Sequence, residues 1–254
     1  MSEIEDLCVF DLETTGVNVF TDRIVTAYLG RVNRQNEITG AYSWLTDPGV
    51  EISEGASNVH GITTEMARAD GRDAKETVEE ILTVIRRSIS TGRPLVAYNA
   101  AYDLSLLNAE AERYDLEPIA DFGVVIDPLI IDKTVDKYRR GKRTLEATAA
   151  HYGVELDGAH DSKFDAIATG GVTWQVLGKV LTSRGFGDMA QVELHERQIG
   201  WAFEQQESYQ EFRRSNGEPE FNVDFGWPLR ERPAATTEAE LETPAPEFET
   251  ANAV

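Results

Sequence analysis

The chain has 254 residues, 45 acidic against 24 basic side chains, and a formal net charge of −21. At 41% hydrophobic residues it can bury a core, which excludes wholesale disorder, and its one cysteine, Cys8, excludes a disulfide framework or a cysteine-rich zinc site. The acidity argues against a uniformly basic nucleic-acid surface, but not against a carboxylate site that meets phosphates through metal ions. No apolar run approaches the roughly 20 residues of a membrane span. The acidic start is also unlike a signal peptide, so a cytoplasmic protein without membrane association is expected.

In chain order, Leu7–Phe10 is a short apolar run, read as a buried strand. Arg23–Val32 and Ile38–Leu45 are two more strands, turned at Asn33–Asn36 and ended by Thr46 to Gly49. Within Asp73–Ser90, Val78, Ile81, Leu82, Ile85 and Ile89 recur at helical spacing, and Gly92 and Pro94 stop the helix. Pro94–Tyr98 reads as a fourth strand, Ala100–Tyr114 as a helix and Gly123–Ile126 as a fifth strand. Thr144–Tyr152 and Lys163–Thr182 read as helices, the last closed by Arg184 and Gly185. This order predicts an α/β fold, a mixed five-stranded sheet flanked by helices over residues 1–185. Residues 186–230 form a helical extension, with a long helix over Asp188–Arg214 and an aromatic strap over Phe221–Leu229. The acidic tail, 231–254, has almost nothing to bury and is expected to be disordered.

Asp11 and Glu13 leave the first strand two residues apart, so their carboxylates point to the same side. Asn99 is a candidate N-cap after the fourth strand, with Asp103 in the first turn of the helix it opens. His160 and Asp165 stand at the entry to the last helix of the domain, capped by Asp161 or Ser162. Each signal alone fits an ordinary strand end, helix start or surface loop. Together they place four carboxylates where open α/β sheets gather ligands. Such a cluster needs divalent cations between its charges, and a histidine adds a base of near-neutral pKa. That inventory fits a two-metal phosphodiesterase, one ion favouring hydroxide and the other stabilising the leaving oxygen.

The segments from Phe10 to Gly16, Val96 to Leu104 and His160 to Ala166 resemble the three exonuclease motifs of the DEDDh 3′–5′ exonucleases. That group includes the proofreading epsilon subunit of bacterial DNA polymerase III. His60-Gly61-Ile62-Thr63 is similar to the segment that follows the meander in the same group. The resemblance implies a ribonuclease-H-like fold and two Mg²⁺ or Mn²⁺ ions. Asp11, Glu13, Asp103 and Asp165 would be the metal-binding acids, with Asp11 bridging, and His160 would take the proton of the attacking water, with Glu13 near it. Leu12, Thr14, Thr15 and Gly16 would contact the terminal nucleotide, His60 and Ile62 would line its base pocket, and Asn99 and Tyr102 would lie along the entering strand. Tyr98 stands where many relatives have histidine, and Tyr102 replaces a common phenylalanine. His151 and His195 read as ordinary helix histidines.

Lys137 to Arg143 holds five cations in seven residues, and Ile131–Arg143 nets +4 from six bases against Asp132 and Asp136. A charge run is usually a solvated turn. In so acidic a chain, Arg139, Arg140, Lys142 and Arg143 are expected instead to grip substrate phosphates. Gln198 to Phe203 has the spacing of peptides that bind sliding clamps, although the plainer reading packs Ile199, Trp201 and Phe203 on the domain. The expected activity is removal of nucleoside monophosphates from single-stranded DNA 3′ ends, with a polymerase or a sliding clamp as possible partners. RNA trimming and an inactive nuclease-fold scaffold are the competing readings.

Overall fold

The computed structural model describes residues 4–156, 160–183, 186 and 189–232. The helix stop expected at Arg184 and Gly185, the helix start expected at Asp188 and nearly all of the acidic tail lie outside the described residues.

Strand β1 (Asp6–Thr14) is the centre of the sheet. Its even residues Cys8, Phe10 and Leu12 enter one core cluster and its odd residues Leu7 and Val9 the other, so both faces are apolar. It pairs antiparallel with β2 (Ile24–Asn33), which pairs antiparallel with β3 (Ile38–Asp47). Two seven-residue helices follow, α1 (Glu54–His60) and α2 (Thr64–Asp70), capped by the Ser53 and Thr63 hydroxyls. Both are too short to show a hydrophobic period. A two-residue strand, β4 (Arg72–Asp73), then runs parallel to Thr46–Asp47. Helix α3 (Ala74–Ile89) leads to β5 (Leu95–Val96), helix α4 (Ala100–Arg113) to β6 (Val125–Ile126), and both strands run parallel to β1. Among the described residues the order is β4-β3-β2-β1-β5-β6, six strands where the sequence pattern predicts five. The extra one is two charged residues without apolar pattern, admitted by Gly71. A Cβ there would meet the Ala67 carbonyl oxygen at 2.3 Å and the Asp47 amide nitrogen at 2.4 Å.

Helices α5 (Pro128–Val135), α6 (Leu145–Tyr152), α7 (Ser162–Thr182) and α8 (Gln191–Ser215) follow. Helices α3 and α4 pack on the Phe10 face, and α7 sets Ala166, Val172 and Val176 against Leu7, Val9 and Tyr28 on the other. Among the described residues no helix is long and apolar enough to cross a membrane.

The extension does not pack as the aromatic pattern suggests. Helix α8 buries Leu194, Gln198 and Ala202 and sets Trp201 edge-on against Phe186, while Ile199 and Phe203 face out at 47% and 52% exposure. Gln198 is fully buried within the helix, which removes the first residue of the clamp-like peptide from any partner. The strap runs from α8 to α4: Phe225 lies on Phe203, Trp227 on His195, and the Arg230 amide donates to Ser105 Oγ at 2.8 Å.

Gly71→Ala is expected to destabilise the chain by about 1–3 kcal/mol through overpacking. Gly55→Ala, in α1 with open space around it, should stabilise by about 0.5–1 kcal/mol. Urea titration of both variants checks the pair, and equal effects would contradict the close approach at Gly71.

Candidate active site

The parallel part of the sheet is short, and that opens the site. The β1–β5 ladder ends at the pair Val9–Val96, so β1 runs on past its neighbour for several residues. Alternation turns Asp11 and Glu13 to the Leu7 and Val9 face, toward α7. Helix α7 starts where Asp161 accepts the Lys163 amide at 2.9 Å, a capping role that accounts for the extra acid beside His160. Asp165 projects from its first turn. One carboxylate oxygen each of Asp11, Glu13 and Asp165 lies within 4.8 Å of the others.

Asp103 arrives from the opposite face. It is 3% exposed, and its Oδ1 accepts the Leu12 amide at 3.1 Å, on the edge of β1 that β5 leaves unpaired. Asp103 therefore belongs to the same strand end without lying inside the three-carboxylate group. His160 is exposed, with a left-handed φ of 68°, and its amide donates to Asp165 Oδ2 at 3.2 Å. Glu13, His60, Ile62, Trp44 and His160 line one cleft of about 240 Å³. His60 Nδ1 accepts the Ile62 amide at 3.1 Å, so the ring proton of neutral His60 sits on Nε2. Burial lowers the pKa of this ring and so favours that neutral form.

Burial first, then repulsion from Asp103, Glu13 and Asp165, pushes the Asp11 carboxyl well above its ordinary range. Burial with Asp165 and Asp161 pushes Glu13 up to about 7. Burial also raises Asp165, against the His160 amide, and Asp103, against the Leu12 amide. Asp165 Oδ1 is buried and has no hydrogen-bond partner among the described residues. Such an oxygen, in a group of carboxylates whose ionised forms burial and neighbouring acids disfavour, fits a hard divalent cation.

Several residues expected at the substrate are engaged elsewhere. The Thr15 hydroxyl donates to Asp22 at 3.0 Å and the Leu12 amide is taken by Asp103. A Cβ on Gly16 would meet the Asp22 carboxylate at 2.7 Å, so Gly16 serves that turn. Tyr102 uses its hydroxyl, which a phenylalanine would lack, to bond the Gly16 carbonyl at 2.7 Å and the Thr14 hydroxyl at 2.6 Å. Tyr98 donates to the Arg143 carbonyl at 2.6 Å and so fixes the basic loop. Asn99 is exposed and occupies the N-cap position of α4 with a left-handed φ of 65°, but its side chain makes no capping bond. That work falls to Asp127, a buried acid in no motif, which accepts the Asn99 and Ala100 amides at 3.1 and 2.9 Å.

The basic segment divides in two. Arg139 donates to Asp132 Oδ2 at 2.6 Å, and Arg143 bonds the same oxygen, with side-chain exposures of 8% and 15%. Burial opposes it, yet these two guanidinium groups hold the Asp132 carboxyl below its ordinary value. Arg139 and Arg143 serve as counterions to Asp132, a fully buried carboxylate within their reach. Arg140 and Lys142 remain exposed.

Residues 8–173 match the RNase_T family model, described as exonuclease. The chain is 28% identical over 190 residues to the PolC-type DNA polymerase III of Listeria innocua, covering 74% of this chain and 12% of that protein. It is 32% identical over 161 residues to the same enzyme of Staphylococcus epidermidis, covering 63% and 10%. The chain thus spans only about a tenth of the length of these curated relatives. It superposes on E. coli Exonuclease I in complex with a dT13 oligonucleotide, with TM-score 0.56 and 19% identity over 71% of this chain and 41% of that one. It also superposes on the nuclease domain of 3′hExo, a DEDDh family member bound to rAMP, with TM-score 0.58 and 18% identity over 70% and 94%. The fold is that of these nuclease structures. The chain belongs to the exonuclease family.

Two outcomes are expected. Glu13 titrates near 7 instead of its ordinary 4.5, so the stability it contributes is full below the lower value and lost as pH rises through the upper. In EDTA the Tm should therefore fall between about pH 5 and pH 8, and millimolar Mn²⁺ should restore it at the upper end. A Tm indifferent to both would contradict the shared charge. Separately, Asp132→Ala should cost about 3–5 kcal/mol by leaving two guanidinium groups unpaired. Arg140→Ala and Lys142→Ala should stay within about 0.5 kcal/mol of the parent in denaturant titrations.

Proposed function

We propose that the chain hydrolyses the terminal phosphodiester of single-stranded DNA from the 3′ end and releases nucleoside 5′-monophosphates, with two divalent cations, Mg²⁺ or Mn²⁺. The observation that carries this reading is the buried Asp165 Oδ1, without a donor among the described residues, in a group with Asp11 and Glu13 that spans no more than 4.8 Å. Asp11, Glu13, Asp103 and Asp165 would hold the cations. When bound, such ions neutralise the gathered negative charge and make the attacking water more acidic.

The remaining work falls to side chains of this protein. His160 has neither ring nitrogen engaged among the described residues and stands at the open side of the cleft, where it can accept the proton of the water. Its amide bond to Asp165 ties that base to a cation ligand. His60 and Ile62 form a wall of the same cleft, with a neutral imidazole and an apolar side chain for the terminal nucleotide. Thr14 and Gly16, held by Tyr102, would set the turn against which that nucleotide rests. Arg140 and Lys142 are available to phosphates further along the strand. The polymerase relatives and the dT13-bound neighbour support DNA, and a polymerase partner is proposed on the same ground. The rAMP-bound neighbour supports the competing reading, RNA trimming. The complete set of acids with His160 speaks against an inactive scaffold.

Matched 3′- and 5′-labelled DNA and RNA oligonucleotides with Mg²⁺, Mn²⁺ or EDTA test this reading. DNA should shorten from its 3′ end, only with a cation. His160→Ala should lower kcat by roughly 10²–10⁴-fold, and Asp11→Ala should abolish turnover. An inert wild-type chain in Mn²⁺ would refute the proposal, and preferential loss of RNA would move it to the RNA reading.

A further inference from the structure

Strand β6 is the last of the sheet, so one side of its backbone has no neighbouring strand among the described residues. Side chains of α8 meet those groups. His195 Nδ1 accepts the Val125 amide at 3.1 Å, Gln198 Nε2 donates to the Val125 carbonyl at 3.0 Å, and Gln198 Oε1 accepts the Asp127 amide at 2.7 Å. Both groups of one residue and the amide two residues on are those a paired strand would satisfy. The helix thus stands in for a seventh strand, using side chains in place of a backbone ladder.

Asp127, fixed in this way, serves two helices with one carboxylate. Its Oδ1 accepts the Leu129 amide at 3.0 Å and caps α5. The same oxygen takes the Asn99 amide at 3.1 Å, and Oδ2 takes the Ala100 amide at 2.9 Å. Asn99 offers no side-chain cap, so these first amides of α4 rely on Asp127. Asp103 lies one turn further on, docked on the Leu12 amide. Asp127 is 1% exposed and Gln198 is wholly buried, so neither can touch substrate.

We propose that Asp127 is a positioning residue for the cation ligand Asp103, and that Gln198 locks Asp127, so that α8 sets the geometry of the cation site from outside the 8–173 segment shared with the family. The proposal rests on the exonuclease reading above. Gln198→Met keeps the buried volume and removes both polar bonds, and Asp127→Asn keeps the shape and turns one acceptor into a donor facing the amides it served. Val180→Ala is the control, a core truncation in α7 fifteen residues from Asp165, roughly 22 Å along the helix.

The full chain and each variant are compared in Tm, in Mn²⁺ Kd by calorimetry, and in kcat and KM on a single-stranded oligonucleotide. Gln198→Met and Asp127→Asn should raise the Mn²⁺ Kd about 10-fold or more and lower kcat, with KM little changed. Val180→Ala should lose Tm and keep the wild-type Mn²⁺ Kd. Should Asp127→Asn fail to fold, Gln198→Met decides alone. Wild-type Mn²⁺ affinity in Gln198→Met, beside a wild-type chain that binds Mn²⁺ and degrades DNA, would overturn the positioning role and leave the exonuclease reading intact. Equal weakening in Val180→Ala would also overturn it, as mere loss of stability. A wild-type chain that neither binds Mn²⁺ nor degrades DNA would remove both.

Discussion

The burial of four carboxylates together at the end of β1 is the constraint around which the rest of the molecule is arranged. Asp11 and Glu13 are fixed by the pleat of a strand buried on both faces, Asp165 by the first turn of α7, and Asp103 by its bond to the Leu12 amide. Burial first, with repulsion from neighbouring acids, raises the carboxyls of all four above their ordinary range. The backbone therefore holds an arrangement its side chains would not choose. The short β5 makes this possible: where its ladder with β1 stops, the strand edge is free to receive Asp103.

The second organising element is α4, which residues late in the chain grip from two sides. Its first amides bond Asp127, itself held by Gln198 of α8, while the strap reaches Ser105 in its middle through the Arg230 amide. Helix α8 also closes the open edge of β6, which would otherwise present unpaired backbone groups. The extension thus shares the core of the sheet and bears on the start of the helix that carries Asp103.

The acids and His160 were legible because each belongs to a local pattern: a residue pair on one side of a strand, an acid in a helix's first turn, a histidine before a cap. What escaped depends on residues distant in sequence. Strand β4 is two charged residues, visible only through the close approach at Gly71, and α1 and α2 are too short to repeat an apolar face. Asp127 and Gln198 gain their meaning from partners 27 and 71 residues away. The pairing of Arg139 and Arg143 with Asp132 was not legible, because a charge run does not disclose that an acid is buried among its cations. The Tyr98 and Tyr102 hydroxyls, departures from the family pattern, each hold a loop beside the site.

The central claim is that the strand end of β1 is a divalent-cation site. Crystals soaked in Mn²⁺ and measured at its absorption edge test it most directly. The account predicts two anomalous peaks among Asp11, Glu13, Asp103 and Asp165, both lost in Asp11→Asn. A map without density there, or unchanged peaks in Asp11→Asn, would contradict it.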